Sequence, residues 1–157
     1  MPNHVHLLVA PSTSEGLAAA IGKTHHHYTS RVNKRRKWKG CLWQGRFFSA
    51  PMDELHVLHT TNYILSNPVR ANLVEMAFEW PHSSAKAHLG LESDPVVDAT
   101  FLAARIEDWD RYLNIATSEN EADRLRSHTR TGRPLGGNRF LSEVEKFTGR
   151  KIRRYPD

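Results

Sequence analysis

MPNHVHLLVAP, residues 1–11, is the stretch on which the fold turns. In a strand, side chains alternate between two faces. His4, His6 and Leu8 then share one face, and Val5, Leu7 and Val9 the other. With apolar residues on both faces, a strand over 3–10 belongs inside a sheet. Two imidazoles leaving a stiff element in the same direction suit a metal ion. An isolated pair of this kind also occurs with no function, so the rest of the chain has to decide.

Outward from that strand, Pro11 to Glu15 breaks the run, and Ser12 with Glu15 has the spacing of a capping box. Leu17, Ile21, Tyr28 and Val32 then recur at helical spacing and predict a helix over 13–33. LWQGRFFSA, residues 42–50, is rich in aromatics and reads as a second strand, with Gly45 a bulge or a point of close approach. Asp53 is placed to cap a helix running to Ser66, which Asn67-Pro68 ends because a residue before proline avoids the α region. Helical turns over 69–74 and helices near 98–104, 107–116, 118–127 and 138–148 follow. A basic linker occupies residues 130–137. Only two strands are convincing, and two strands alone are marginal in water. The sheet therefore calls for further chains or for sequence ahead of Met1.

The chain has 157 residues, 39% hydrophobic and 25% charged, a balance that suits one globular domain. No run is apolar enough to span a bilayer, and the start lacks the pattern of a signal peptide. The single cysteine, Cys41, fits a reducing cytosol and reads as an inert packing residue. The net charge of +5 is unevenly spread. Arg31, Lys34, Arg35, Arg36, Lys37 and Lys39 crowd around Trp38, and Arg150, Lys151, Arg153 and Arg154 end the chain beside Tyr155. Clustered cations with aromatic neighbours suit nucleic acid, through counterion release and base stacking. His25-His26-His27 falls on the first helix, where consecutive residues diverge, so solvent exposure is expected rather than a metal site.

Tyr63 and Asn67 stand four residues apart and share a helix face. A tyrosine hydroxyl is a weak nucleophile until something stabilises the charge of its attack. A divalent ion held by His4, His6 and the Asn67 oxygen would do so at a phosphodiester. Mixed nitrogen and oxygen donors of this sort suit Mg²⁺ or Mn²⁺ in function. Taken singly, each residue has an ordinary alternative: Tyr63 and Trp43 as packing aromatics, Asn67 as a turn-former.

The joint order of MPNHVHLLV, LWQGRF, YILSNPVRANLV and WPHSSAKAHLG resembles the REP-associated tyrosine transposases, single-tyrosine transposases of the HUH endonuclease superfamily. The resemblance implies an α+β, ferredoxin-like sandwich with the histidine pair on a central strand. It divides the chain into a partial catalytic core over 1–90 and a helical C-terminal extension over 91–157. It implies Tyr63 as the nucleophile and His4 and His6 as ligands of Mg²⁺ or Mn²⁺, with Asn67 in the place of a third ligand. Tyr63 would cleave single-stranded DNA beside a REP-like hairpin and transfer the strand through a 5′-phosphotyrosine. A non-catalytic hairpin-binding relative is the alternative. Arg35, Arg36, Trp38 and Arg46 are the candidate DNA contacts, on chemistry and position. The family carries a strand, a helix and a strand ahead of its histidine motif, so the start at Met1 reads as a truncation. A bacterial cytoplasmic protein on nucleoid DNA, monomer or homodimer, is expected.

Overall fold

The computed structural model describes residues 1–153. Arg154 and Tyr155, which belong to the terminal basic stretch, lie outside the described residues. The described chain is helical: α1 (Gly16–Arg36), α2 (Glu54–Arg70), a 3₁₀ turn (Ala77–Glu79), α3 (Ala85–His88), α4 (Thr100–Ala103), α5 (Trp109–Leu113), α6 (Glu119–Thr131) and α7 (Asn138–Thr148). It forms two compact units, one of Met1–Leu7 with Ala50–Asp157 and the other of Leu8–Ser49.

The ferredoxin-like sandwich is overturned. Among the described residues there is no strand, and the only β pairing is an isolated bridge between Met52 and Leu135. Residues 4–10 carry no regular structure and leave Val5, Leu7 and Val9 more than half exposed. A strand is stable only through a ladder to a neighbour, and the stretch expected to pair with it forms no strand either. Residues 42–46 form a series of bends, in which Trp43 is drawn onto α1.

In the unit of residues 8–49, the Trp43 indole stacks on the His25 imidazole, with ring centroids 3.9 Å apart and planes 10° from parallel. Its Nε1–H donates to the His25 carbonyl at 3.4 Å. Lys37 ends α1 in a left-handed conformation (φ 56°), and the Trp38 N–H reaches back to the Asn33 carbonyl at 3.0 Å. Lys34, Arg35 and Arg36 occupy the last turn, where cations complement the helix dipole. Of the three consecutive histidines, His26 and His27 are exposed as expected, while His25 is half-buried under Trp43. Cys41 is exposed, not packed.

In the other unit, α2 is the organising element. Leu65 packs with Ala77 and Ala85, and Val69, Phe78, Trp109 and Leu113 close around them. A second face of α2 is polar yet buried. Asn62 donates to the Tyr112 carbonyl and accepts from the Thr117 hydroxyl, and Ser66 donates to the Leu113 carbonyl. The Tyr112 hydroxyl returns a bond to the Leu58 carbonyl, and burial pushes its pKa up to about 12. Leu58, Asn62 and Ser66 are successive i, i+4 positions, so one stripe of α2 satisfies the carbonyls at the end of α5. Asn62→Ala strands those partners and should lower stability by about 2 kcal/mol or more, read from the urea midpoint.

Asp53 caps α2 as the sequence predicts. Its Oδ1 accepts from the His56 N–H (3.0 Å) and from His56 Nδ1 (2.6 Å), and its Oδ2 accepts from the Gly137 N–H at 2.7 Å. One carboxylate therefore fixes the starts of both α2 and α7. Gly136 fits there because a Cβ would stand 2.2 Å from the Phe140 ring. Burial raises the Asp53 pKa, but the bonds from Gly137 and His56 prevail and hold it below the ordinary value. Its stabilising contribution is present above the unfolded carboxylate pKa of about 3.9 and is lost as pH falls through the lower folded value. Asp53→Ala should cost about 2–3 kcal/mol at neutral pH and flatten the acid limb of the stability curve.

The helix does not end at Asn67-Pro68. Pro68 lies inside it, and α2 runs to Arg70. Proline removes one N–H and crowds the preceding turn, which α2 tolerates one turn from its end. The stop comes at Asn72, in a left-handed conformation (φ 52°), with the Leu73 N–H on the Pro68 carbonyl at 3.0 Å. The expected turns over 69–74 are thus the end of α2 rather than a new segment. The extra turn carries Arg70 to the face that holds Tyr63.

Candidate active site

Tyr63, Asn67 and Arg70 follow one another at i, i+4 and i+7 on α2 and open onto a cleft also lined by Met1, His4, His6, Ala71 and Arg126. Every lining residue belongs to the same unit. Tyr63 is 6% exposed and Asn67 9%, so α2 grips both at the cleft floor.

His4 and His6 reach this cleft from irregular chain, not from a strand. Their Nε2 atoms stand 3.1 Å apart, and their rings meet edge to face with centroids 4.8 Å apart. The His6 ring meets the Tyr63 ring edge to face at 5.9 Å. His4 Nδ1 is bonded to the Asn3 Oδ1 at 2.7 Å, which makes Nδ1 the protonated nitrogen and leaves Nε2 with its lone pair. Desolvation lowers the pKa of both histidines, and in His6 the charge of His4 lowers it further. Both imidazoles are therefore biased toward the neutral form that binds metals.

The arrangement can be tested against a metal ion directly. Two imidazole nitrogens bonded at about 2.1 Å to one ion, at an angle between square and tetrahedral, stand about 3.0–3.4 Å apart. The 3.1 Å contact is a hydrogen bond, His6 Nε2–H donating to His4 Nε2, and its length also falls in that interval, so loss of that proton would open the pair to an ion. Among the described residues no group of three or more His, Cys, Asp or Glu is placed to hold a metal ion. A third donor would have to be of another kind, and Asn67, which carries an amide oxygen, lines the same cleft. Such a donor set could hold a divalent ion and would leave it accessible to phosphate oxygens.

Two cations flank the tyrosine, and the sequence did not single out either. The Arg70 guanidinium carbon lies 5.1 Å from the centre of the Tyr63 ring. Arg126, on α6, bonds to Glu119 Oε1 and Asp123 Oδ1, each at 2.7 Å. Those bonds, and after them Tyr63, raise its pKa above the ordinary guanidinium value. The i+7 spacing from Tyr63 would have exposed Arg70 had the helix been carried through Pro68. No local pattern points to Arg126.

The four expected DNA contacts lie in the unit of residues 8–49. Arg35, Arg36, Trp38 and Arg46 are all exposed, and the Arg36 guanidinium carbon lies 5.9 Å from the centre of the Trp38 ring. No described helix is long and apolar enough to cross a membrane.

Comparison with known proteins adds two findings. Residues 1–67 match the family described as "Transposase IS200 like". Over 95 residues the chain is 30% identical to a Haemophilus influenzae protein named "Putative REP-associated tyrosine transposase", an overlap of 54% of each chain. The chain thus spans about half the length of that curated relative. No solved structure matches it significantly. The resemblance read from the motifs is borne out by both matches.

Proposed function

We infer, from a chain whose first 67 residues belong with the IS200-like transposases, that this protein acts on DNA as a transposase-type strand transferase with Tyr63 as nucleophile. The observation that carries this reading is the convergence of His4, His6, Tyr63 and Asn67 in one cleft. The substrate is single-stranded DNA beside a REP-like hairpin. His4, His6 and Asn67 would hold Mg²⁺ or Mn²⁺, which when bound withdraws charge from the scissile phosphate. Tyr63, fixed by α2 at the cleft floor, presents its oxygen to phosphorus. The Tyr63 O–P bond forms, the bond from phosphorus to the 3′-oxygen breaks, and that oxygen leaves as a 3′-OH while the phenol gives up its proton. The phosphotyrosine keeps the energy of the broken diester, so a 3′-OH can later reverse the step and join strands. The exposed cations of the other unit, Arg35, Arg36 and Arg46, with Trp38 as a stacking surface, would take the flanking DNA.

The test is a denaturing gel with a 5′- and a 3′-labelled hairpin oligonucleotide. In Mg²⁺ or Mn²⁺ the label on the 3′ side of the cut should move with the protein, and in EDTA it should not. Tight hairpin binding with no adduct in any metal would instead favour a non-catalytic DNA-binding relative. The absence of a sheet beneath His4 and His6 is the observation on that side.

A further inference from the structure

We propose that Arg70 and Arg126 form a phosphate seat beside Tyr63, which Glu119 fills until DNA displaces it. The proposal rests on the reading of Tyr63 as a DNA nucleophile and goes beyond it, since α6 lies outside the matched residues 1–67. Glu119 bridges the two arginines: Oε2 accepts from Arg70 at 3.1 Å and Oε1 from Arg126 at 2.7 Å. Two guanidiniums spanned by the oxygens of one anion is the arrangement that a phosphodiester takes between two arginines. Both arginines line the cleft that Tyr63 also lines, and the carboxylate stands where such a group would bind between them.

The three groups differ in exposure, and the difference favours exchange. Arg70 is the anchor: its side chain is 24% exposed and its Nη1 is buried without a hydrogen-bond partner. Arg126 stays tethered to Asp123, one turn earlier on α6, when Glu119 leaves. Glu119 is the most exposed of the three, at 67%, and among the described residues its carboxylate is bonded only to these cations. A surface carboxylate paired this way contributes little net stability, so an incoming phosphate can replace it at small cost.

The experiment measures hairpin-oligonucleotide affinity by fluorescence anisotropy across a salt series. It uses the full chain in a Tyr63→Phe background, which separates binding from cleavage. Arg126→Gln should weaken binding about threefold to tenfold and reduce the slope of log affinity against log salt by about 0.7, the value of one single-strand phosphate contact. Arg126→Lys should keep the slope. Glu119→Gln should tighten binding at least threefold, whereas Glu107→Gln, the same charge change outside the cleft, should gain less. An unchanged slope in Arg126→Gln, or no gain from Glu119→Gln beyond that of Glu107→Gln, overturns the proposal. Should Arg126→Gln fail to fold, the comparison of Glu119→Gln with Glu107→Gln decides the matter. An adduct from the wild type with these binding effects missing refutes the seat alone. The binding effects without any adduct refute the nucleophile alone.

Discussion

Tyr63→Phe removes covalent protein–DNA adduct to below detection, a loss of about 10³-fold or more, while hairpin affinity stays within about twofold of wild type. The expected split follows from what the substitution deletes. The ring keeps its place on α2, its edge-to-face contact with His6 and its neighbour Arg70. Only the oxygen that would bond to phosphorus is lost. A binding defect of comparable size would mean that Tyr63 acts chiefly as a strut for the cleft. Persistent adduct would mean that another residue is the nucleophile.

His6→Ala has the second-largest expected effect. It leaves His4 as the only imidazole in the cleft, and one nitrogen ligand does not hold Mg²⁺ or Mn²⁺ against water. Mn²⁺ binding, followed by paramagnetic resonance of the free ion, should weaken at least tenfold. Adduct yield should fall by about 10²–10⁴, the scale of losing metal-derived charge stabilisation. His6 also packs against Tyr63, so a lost contact could by itself slow the chemistry. The Mn²⁺ measurement separates the two explanations, because a purely structural His6 leaves the ion's affinity unchanged.

The sequence placed residues in one cleft better than it placed them in a fold. His4, His6, Tyr63 and Asn67 have short-range spacings, two apart in one stretch and four apart on one helix, and the roles proposed for them come from the family resemblance their motifs carry. The structure brings these two pairs to the same cleft. The caps and stripes of α2 and α7 were local too. Asp53 begins α2, and helix α7 spans the expected 138–148. What failed was everything that depends on a distant partner. A strand over 3–10 could be written from alternation, but alternation does not supply the neighbouring ladder, and Trp43 prefers the face of His25 to a sheet. The end of α2 was misplaced because Pro68 was weighed against the α region of Asn67. The left-handed Asn72 five residues after that asparagine is what stops the helix. Arg126 was invisible because its relation to Tyr63 passes through α6 and Glu119, with no periodicity to announce it.

If Tyr63 is the nucleophile, one oxygen of this chain bonds to DNA phosphorus. The most direct measurement is peptide mapping by mass spectrometry of the wild-type chain after incubation with hairpin oligonucleotide and Mn²⁺, followed by nuclease digestion to a single nucleotide. A nucleotide mass is expected on the peptide containing Tyr63, with fragment ions assigning it to that residue, and none when EDTA replaces Mn²⁺. A nucleotide found on Tyr28, Tyr112 or any residue other than Tyr63 would contradict it.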